Sequence, residues 1–251
     1  MKSKILLAYL CLNFNRHVSI DSVIEAVWGE ESPASARKNA QLYVSRFRKL
    51  ARGATDMQLA TTGDGYRLSI DPEQVDLERS ERLRFLGKES VRSGAHGKAV
   101  QLFREAIQLW RGEPLSGLAQ TPMMKSEEAR LKQIRLGLWL EYFSAQLTRG
   151  QYSEIIPELI AVVASNPHQE RLRADLMLAL WRTGERHAAL EVYRDVYQVL
   201  ADEFGISPGR RLQMLHQALL TDDAAAVEDA YDPLDSTLEH SGTLAGYPGG
   251  R

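Results

Sequence analysis

A helical turn signature recurs three times in the later two-thirds of the chain, and it restricts the fold more than any other feature. It reads Arg92-Ser-Gly-Ala-His-Gly-Lys-Ala99-Val-Gln-Leu-Phe103, then Arg149-Gly-Gln-Tyr-Ser-Glu-Ile-Ile-Pro-Glu-Leu, then Arg182-Thr-Gly-Glu-Arg-His-Ala-Ala189-Leu-Glu-Val-Tyr193. The glycine is read as the turn between two helices. The small residue that follows lets the two helices approach closely. From Asp76 to about Leu220 the apolar spacing is helical throughout, so this region is an all-α array of helix pairs.

Gly150 and Gly184 lie 34 residues apart, the period of tetratricopeptide repeats, each of which is a pair of antiparallel helices. Gly94 lies 56 residues before Gly150, so the array is degenerate. Residues 76–221 are therefore expected to form a tetratricopeptide-like helical domain. Trp110, Trp139 and Trp181 fall at helical spacing and are read as core packing in preference to a ligand cage.

The first seventy residues follow a different rhythm. Residues 3–12 read as a helix with a nearly continuous apolar face, ended by Asn13 and Asn15. Ser19 or Asp21 is placed to cap a second helix, because either side chain can accept from free N–H groups of the first turn. Its buried face is Ile20, Val23, Ile24, Val27 and Trp28, and Gly29 stops it. Glu30-Glu31-Ser32-Pro33 reads as a loop. Ser35 is expected to cap a third helix from about Ala36 to Arg52. Met57–Thr62 and Tyr66–Ile70 then read as two strands around Gly63-Asp64-Gly65, a hairpin. Asp71-Pro72 closes this head, residues 1–72. Three helices followed by a hairpin form a winged helix-turn-helix layout. The fold class expected is mainly α: a winged head with a small β-hairpin wing, then the helical repeat domain.

Charge is divided along the chain although the total is only −2. Residues 1–70 hold ten Lys/Arg and six Asp/Glu, while residues 222–251 hold one Arg and seven acids. A basic head and an acidic tail are hidden in a near-neutral sum. The tail has little large apolar content and is expected to be disordered. Cys11, the single cysteine, excludes an intramolecular disulfide and a multi-cysteine zinc site. It sits in an apolar run and is expected to be a buried thiol. Ile5–Leu12 is too short to span a bilayer and lacks a signal-peptide cleavage pattern, so no membrane association and a cytoplasmic location are expected.

The chain carries no GxxxxGK[ST], GxGxxG or HExxH pattern. Its histidines, at 17, 96, 168, 187, 216 and 240, form no short-spaced metal pair. No enzyme activity, cofactor or metal is expected. The third helix is the sharper signal. Ala36, Ala40, Tyr43, Val44, Phe47, Leu50 and Ala51 share one side, and Lys38, Asn39, Gln41, Leu42, Ser45, Arg46 and Lys49 share the other. Between Ala34 and Ala54 there are six Lys/Arg and no acid. Cations displace counterions from phosphates, and polar side chains match base edges in the major groove. Leu42 offers an apolar surface to a thymine methyl. Arg67, beside the wing turn, reaches a phosphate or minor groove, or else pairs with an acid across the sheet.

Trp28-Gly29, then Pro33-Ala-Ser-Ala-Arg37-Lys-Asn39-Ala-Gln41-Leu-Tyr43-Val44-Ser45-Arg46-Phe-Arg48-Lys-Leu50, and Gly65-Tyr66-Arg67-Leu68 resemble the signature of Streptomyces antibiotic regulatory proteins. Ala106-Ile-Gln-Leu-Trp110-Arg111-Gly112, Asn166-Pro-His-Gln-Glu170-Arg171-Leu-Arg173, Leu176 to Gly184, and Leu200-Ala-Asp-Glu203-Phe-Gly205-Ile-Ser-Pro208 resemble the bacterial transcriptional activator domain. The resemblance covers about residues 3–221. It implies an OmpR-type winged helix that binds double-stranded DNA at direct-repeat promoter sites. It also implies contact with RNA polymerase including its sigma factor, and activation of secondary-metabolite (antibiotic) genes. The helix from Ala36 is then the recognition helix. The Trp28–Ser35 loop, with Trp28, Glu30, Glu31 and Ser32, is then the polymerase contact. Homodimerisation through the helical domain is a further expectation. The family begins with a strand-rich segment, whereas this sequence opens in the first helix. Either the true start lies upstream, or the head lacks its N-terminal sheet; in the second case the wing hairpin is left short of partners. A second reading follows from that: a tetratricopeptide-like protein-interaction module that does not bind DNA and modulates full-length regulators.

Overall fold

The computed structural model describes residues 1–51 and 57–231. Its elements run α1 (Lys2–Leu12), β1 (His17–Ser19), α2 (Ile20–Trp28), α3 (Ala36–Leu50), β2 (Met57–Thr62), β3 (Gly65–Ile70), α4 (Asp76–Arg92), α5 (His96–Gln108), α6 (Pro122–Thr148), α7 (Tyr152–Ser165), α8 (Glu170–Arg182), α9 (Arg186–Phe204), α10 (Arg210–Thr221) and α11 (Ala224–Ala230). The expected sequence of winged head and helical array is thus observed. The chain forms two compact units: Met1–Phe85 with Glu105–Gly137, and Leu86–Arg104 with the chain from Leu138 onward.

The first unit contains the winged head. Ile5, Leu6 and Leu10 of α1, Val23 and Val27 of α2, Ala40 and Val44 of α3, and Leu59, Tyr66 and Leu68 of the hairpin form its core. Met124 of α6 belongs to the same core and is fully buried. The wing is not an isolated pair of strands. His17–Ser19 adds a third, antiparallel strand, giving the order β1-β3-β2. Gly65 makes this possible, because a Cβ there would lie 2.0 Å from the Val18 carbonyl oxygen. Asn15 fastens the other end of β3. Its side-chain amide donates to Ile70 O at 2.9 Å and accepts from Ile70 N at 3.1 Å.

Three further expectations are corrected in this unit. Cys11 is exposed, because the buried side of α1 is taken by Ile5, Leu6 and Leu10. Leu50 is 86% exposed. It stands in the last turn of α3, past the Ala36-Ala40-Val44 row that meets the core. Ser35 precedes α3 but its side chain makes no cap to the backbone. It accepts instead from the Asn39 amide at 3.2 Å. Arg52 lies outside the described residues.

In the second unit the three repeated glycines do what their spacing predicts. Gly94, Gly150 and Gly184 have φ of 77°, 72° and 87°, the left-handed region in which a side chain is disfavoured. The backbone bonds around them are the same each time. Gly94 N donates to Val91 O and Ala95 N to Ser90 O. Gly150 and Gln151 repeat this with Leu147 and Gln146, and Gly184 and Glu185 with Trp181 and Leu180. This is the paired closure of a Schellman motif, which satisfies the last free carbonyls of the preceding helix. Five residues after each glycine, Ala99, Ile155 and Ala189 are fully buried. Trp139 packs in the core fashion expected, stacked on Phe143 at 5.4 Å and edge-on to Tyr142 at 5.9 Å.

The tail departs from expectation over its first ten residues. Asp223 caps α11 by accepting from Ala225 N and Ala226 N at 3.0 and 3.1 Å. Val227 and Tyr231 are buried. The Tyr231 hydroxyl donates to Asp175 Oδ1 at 2.6 Å, and Arg171 Nε donates to the same oxygen at 2.9 Å. Burial raises the Asp175 carboxyl above its ordinary range, against the pull of Arg171. A capping aspartate and one aromatic anchor therefore hold a segment whose composition reads as disordered. Residues 232–251 lie outside those described.

Candidate nucleic-acid interface

Of the two caps weighed for α2, Ser19 is the one used, its hydroxyl accepting from Ser22 N at 3.1 Å. It ends at Gly29, whose φ of 63° is unsuited to other residues. Helix α3 presses Ala36, Ala40 and Val44 inward. Its small residues let the helix come close to the core, and Tyr43 and Phe47 flank them half-buried. Trp28 stacks on Tyr43 at 6.3 Å with a 15° interplanar angle, which couples the end of α2 to the middle of α3. Arg48 and Lys49 occupy the last turn of α3, and the first turn has no acid. Cations at the C-terminal end complement the helix dipole.

The outward side of α3 carries the residues singled out from sequence. Lys38, Gln41, Leu42, Ser45, Arg46 and Lys49 are exposed, with Leu42 at 45%. Asn39 is half-buried and its amide is engaged by Ser35. Arg67 is exposed on a different element, in the central strand between His17 and Ala60. Lys38, Gln41, Ser45, Arg46, Lys49 and Arg67 make no side-chain hydrogen bond or ion pair with one another or with any other described residue. The acid partner across the sheet weighed for Arg67 is thus not found there. A cation held by its own protein's carboxylate must lose that partner before it binds a phosphate, and these need not.

Sequence reasoning missed the residues that hold this surface in place. Arg48 belongs to the basic run, yet it turns back. Its Nε donates to Leu59 O and its Nη2 to Thr61 Oγ1, each at 2.8 Å, tying α3 to strand β2. His17 spans the wing turn, with ring nitrogens 3.0 Å from Thr62 Oγ1 and 3.1 Å from Asp64 Oδ1. Arg37 pairs with Asp21 at 3.0 Å, both well exposed. The only signal for these roles was residue type. In the α2–α3 loop, Glu30, Glu31 and Ser32 are exposed, whereas Trp28 is half-buried against Tyr43. Among the described residues no group of three or more His, Cys, Asp or Glu is placed to hold a metal ion, and no helix is long and apolar enough to cross a membrane.

Known proteins share this arrangement. The bacterial transcriptional activator domain matches residues 75–220. The chain is 33% identical to the regulatory protein DnrI of Streptomyces peucetius over 230 residues, 88% of this chain and 85% of DnrI. It is 36% identical to the regulatory protein AfsR of Streptomyces coelicolor over 228 residues, 90% of this chain but 23% of AfsR. The structure of Mycobacterium tuberculosis EmbR in complex with a low affinity phosphopeptide matches with a TM-score of 0.80 at 31% identity, over 91% of this chain and 62% of that one. This chain therefore spans less than a quarter of AfsR and under two-thirds of the EmbR chain. It belongs to the bacterial transcriptional activator domain family, among the transcriptional regulators of the Streptomyces antibiotic regulatory protein type.

Proposed function

We propose that this chain is a sequence-specific DNA-binding transcriptional activator, pathway-specific for a secondary-metabolite (antibiotic) gene cluster and acting in the cytoplasm. The head, residues 1–72, binds double-stranded DNA at direct-repeat promoter sites, and residues 76–221 form the activator domain. Lys38, Arg46 and Lys49 meet phosphates. Asn39, Gln41 and Ser45 face base edges, and Leu42 meets a thymine methyl. Arg67 holds the backbone from the wing. Glu30, Glu31 and Ser32 face RNA polymerase and its sigma factor, with Trp28 as the packed base of that loop. A homodimer suits paired sites.

The observation that carries this reading is the outward side of α3, exposed, acid-free and without ion pairs to the rest of the described chain. The test is a salt titration of binding to a duplex enriched by the chain from a randomised pool. Arg46→Ala with Lys49→Ala should weaken binding. The slope of log K against log salt should fall by about one unit for each phosphate that is no longer neutralised. Unchanged affinity and slope would show that this side of α3 does not meet DNA.

A further inference from the structure

Helix α2 has a termination problem that its own neighbourhood does not solve. A helix leaves its last carbonyls without intrahelical partners. Here Gly29 N returns to Glu25 O at 2.8 Å, and the backbone then turns away. The Val27 carbonyl is met by Lys2 Nζ at 2.7 Å. The Ala26 carbonyl is met by Thr121, 95 residues along the chain, whose hydroxyl donates at 2.9 Å in a buried bond.

The same hydroxyl has a second task. Thr121 directly precedes α6, and its oxygen accepts from Met124 N at 3.3 Å, the capping bond of that helix. One side chain thus joins the C-terminal end of α2 to the N-terminal end of α6, the two opposite poles of their helix dipoles. Its surroundings are closed. Thr121 is 4% exposed, Met124 is fully buried in the head core, and Leu115, Leu118 and Met123 pack against that core.

We propose that Thr121 is a positioning residue for the DNA-reading helices, a part of the reader supplied from beyond the winged head. The inference rests on the DNA-binding reading above. The placement of α2 sets that of α3 through the Trp28–Tyr43 stack. Base contacts depend on that placement to within fractions of an ångström, whereas phosphate attraction depends mainly on the number of cations. Loss of the hydroxyl should therefore erode sequence discrimination and leave non-specific attraction in place.

The test uses the full chain and three versions of it: unaltered, Thr121→Val, which keeps the shape and loses both bonds, and Thr121→Ser, which keeps both. Affinity is measured for the duplex enriched from a randomised pool and for poly(dI-dC). Hydrogen exchange is followed in peptides covering α2 and α3. Thr121→Val should lower the specific-to-non-specific ratio about 5- to 10-fold, the scale of one hydrogen bond removed with its buried partner left unmet. It should also speed exchange in α2 and α3, and Thr121→Ser should restore both. An unchanged ratio and unchanged exchange in Thr121→Val overturn the proposal, as does a loss that Thr121→Ser fails to restore. If the unaltered chain enriches no duplex, the DNA-binding reading fails by itself, and the exchange comparison still decides whether Thr121 positions the helices.

Discussion

The end of α2 in the winged head and the three repeated turns of the helical array are closed by opposite means. In the array each turn glycine and the residue after it bond to carbonyls three and five residues back, the same way at Gly94, Gly150 and Gly184. In the head, the end of α2 is met by Lys2 and Thr121, separated from their acceptors by 25 and 95 residues. The end of β3 is met by Asn15, 55 residues away. Local closure depends on one backbone conformation and repeats as a motif. Distant closure depends on side chains that only the tertiary fold brings near. The array should accordingly tolerate damage turn by turn, and the head should fail as a whole.

The largest effect is expected at Met124. Met124→Ala removes a fully buried side chain from the head core and should cost about 2–5 kcal/mol. Denaturant unfolding followed by Trp28 fluorescence, against the other tryptophans replaced by Phe, would read it in the head. A loss confined to the array would break the assignment of Met124 to the head. Next comes Gly65→Ala, whose new methyl would meet the Val18 carbonyl oxygen. It should cost about 3 kcal/mol as overpacking against backbone. Faster amide exchange at His17–Ser19 and β3 should accompany it, and intact β1–β3 protection would contradict the strand pairing. The smallest is Gly184→Ala. No heavy atom lies within 4 Å of the added methyl, so only the φ of 87° is penalised, at about 1 kcal/mol. A calorimetric melt that separates the two units should show the array transition shifted and the head transition unmoved.

Much of the candidate site was legible because α3 obeys a helical period. Once Ala36, Ala40 and Val44 are assigned inward, Lys38, Ser45 and Lys49 must point outward. Ser19 as a cap and the turn glycines were legible for the same reason, since each is a local conformational demand. Strand β1 was not legible, because three residues, His17-Val18-Ser19, show no alternation to count and pair with a strand nearly fifty residues later. Leu50 was misread because period assigns a side of the helix without saying where the core ends. Arg48 has the residue type of a phosphate contact and acts as a brace to β2.

What the sequence determined by itself is the order of winged head before helical array, the two sides of α3 and the three glycine turns of the array. Each follows from steric and hydrogen-bonding preferences within a few consecutive residues. Tertiary structure alone decided which distant groups complete the head and anchor the tail: the third strand, Met124 in the head core, Thr121 at the end of α2, and Tyr231 on Asp175. Those pairings depend on buried polar groups finding partners once water is excluded, and no local pattern records which partner will be near.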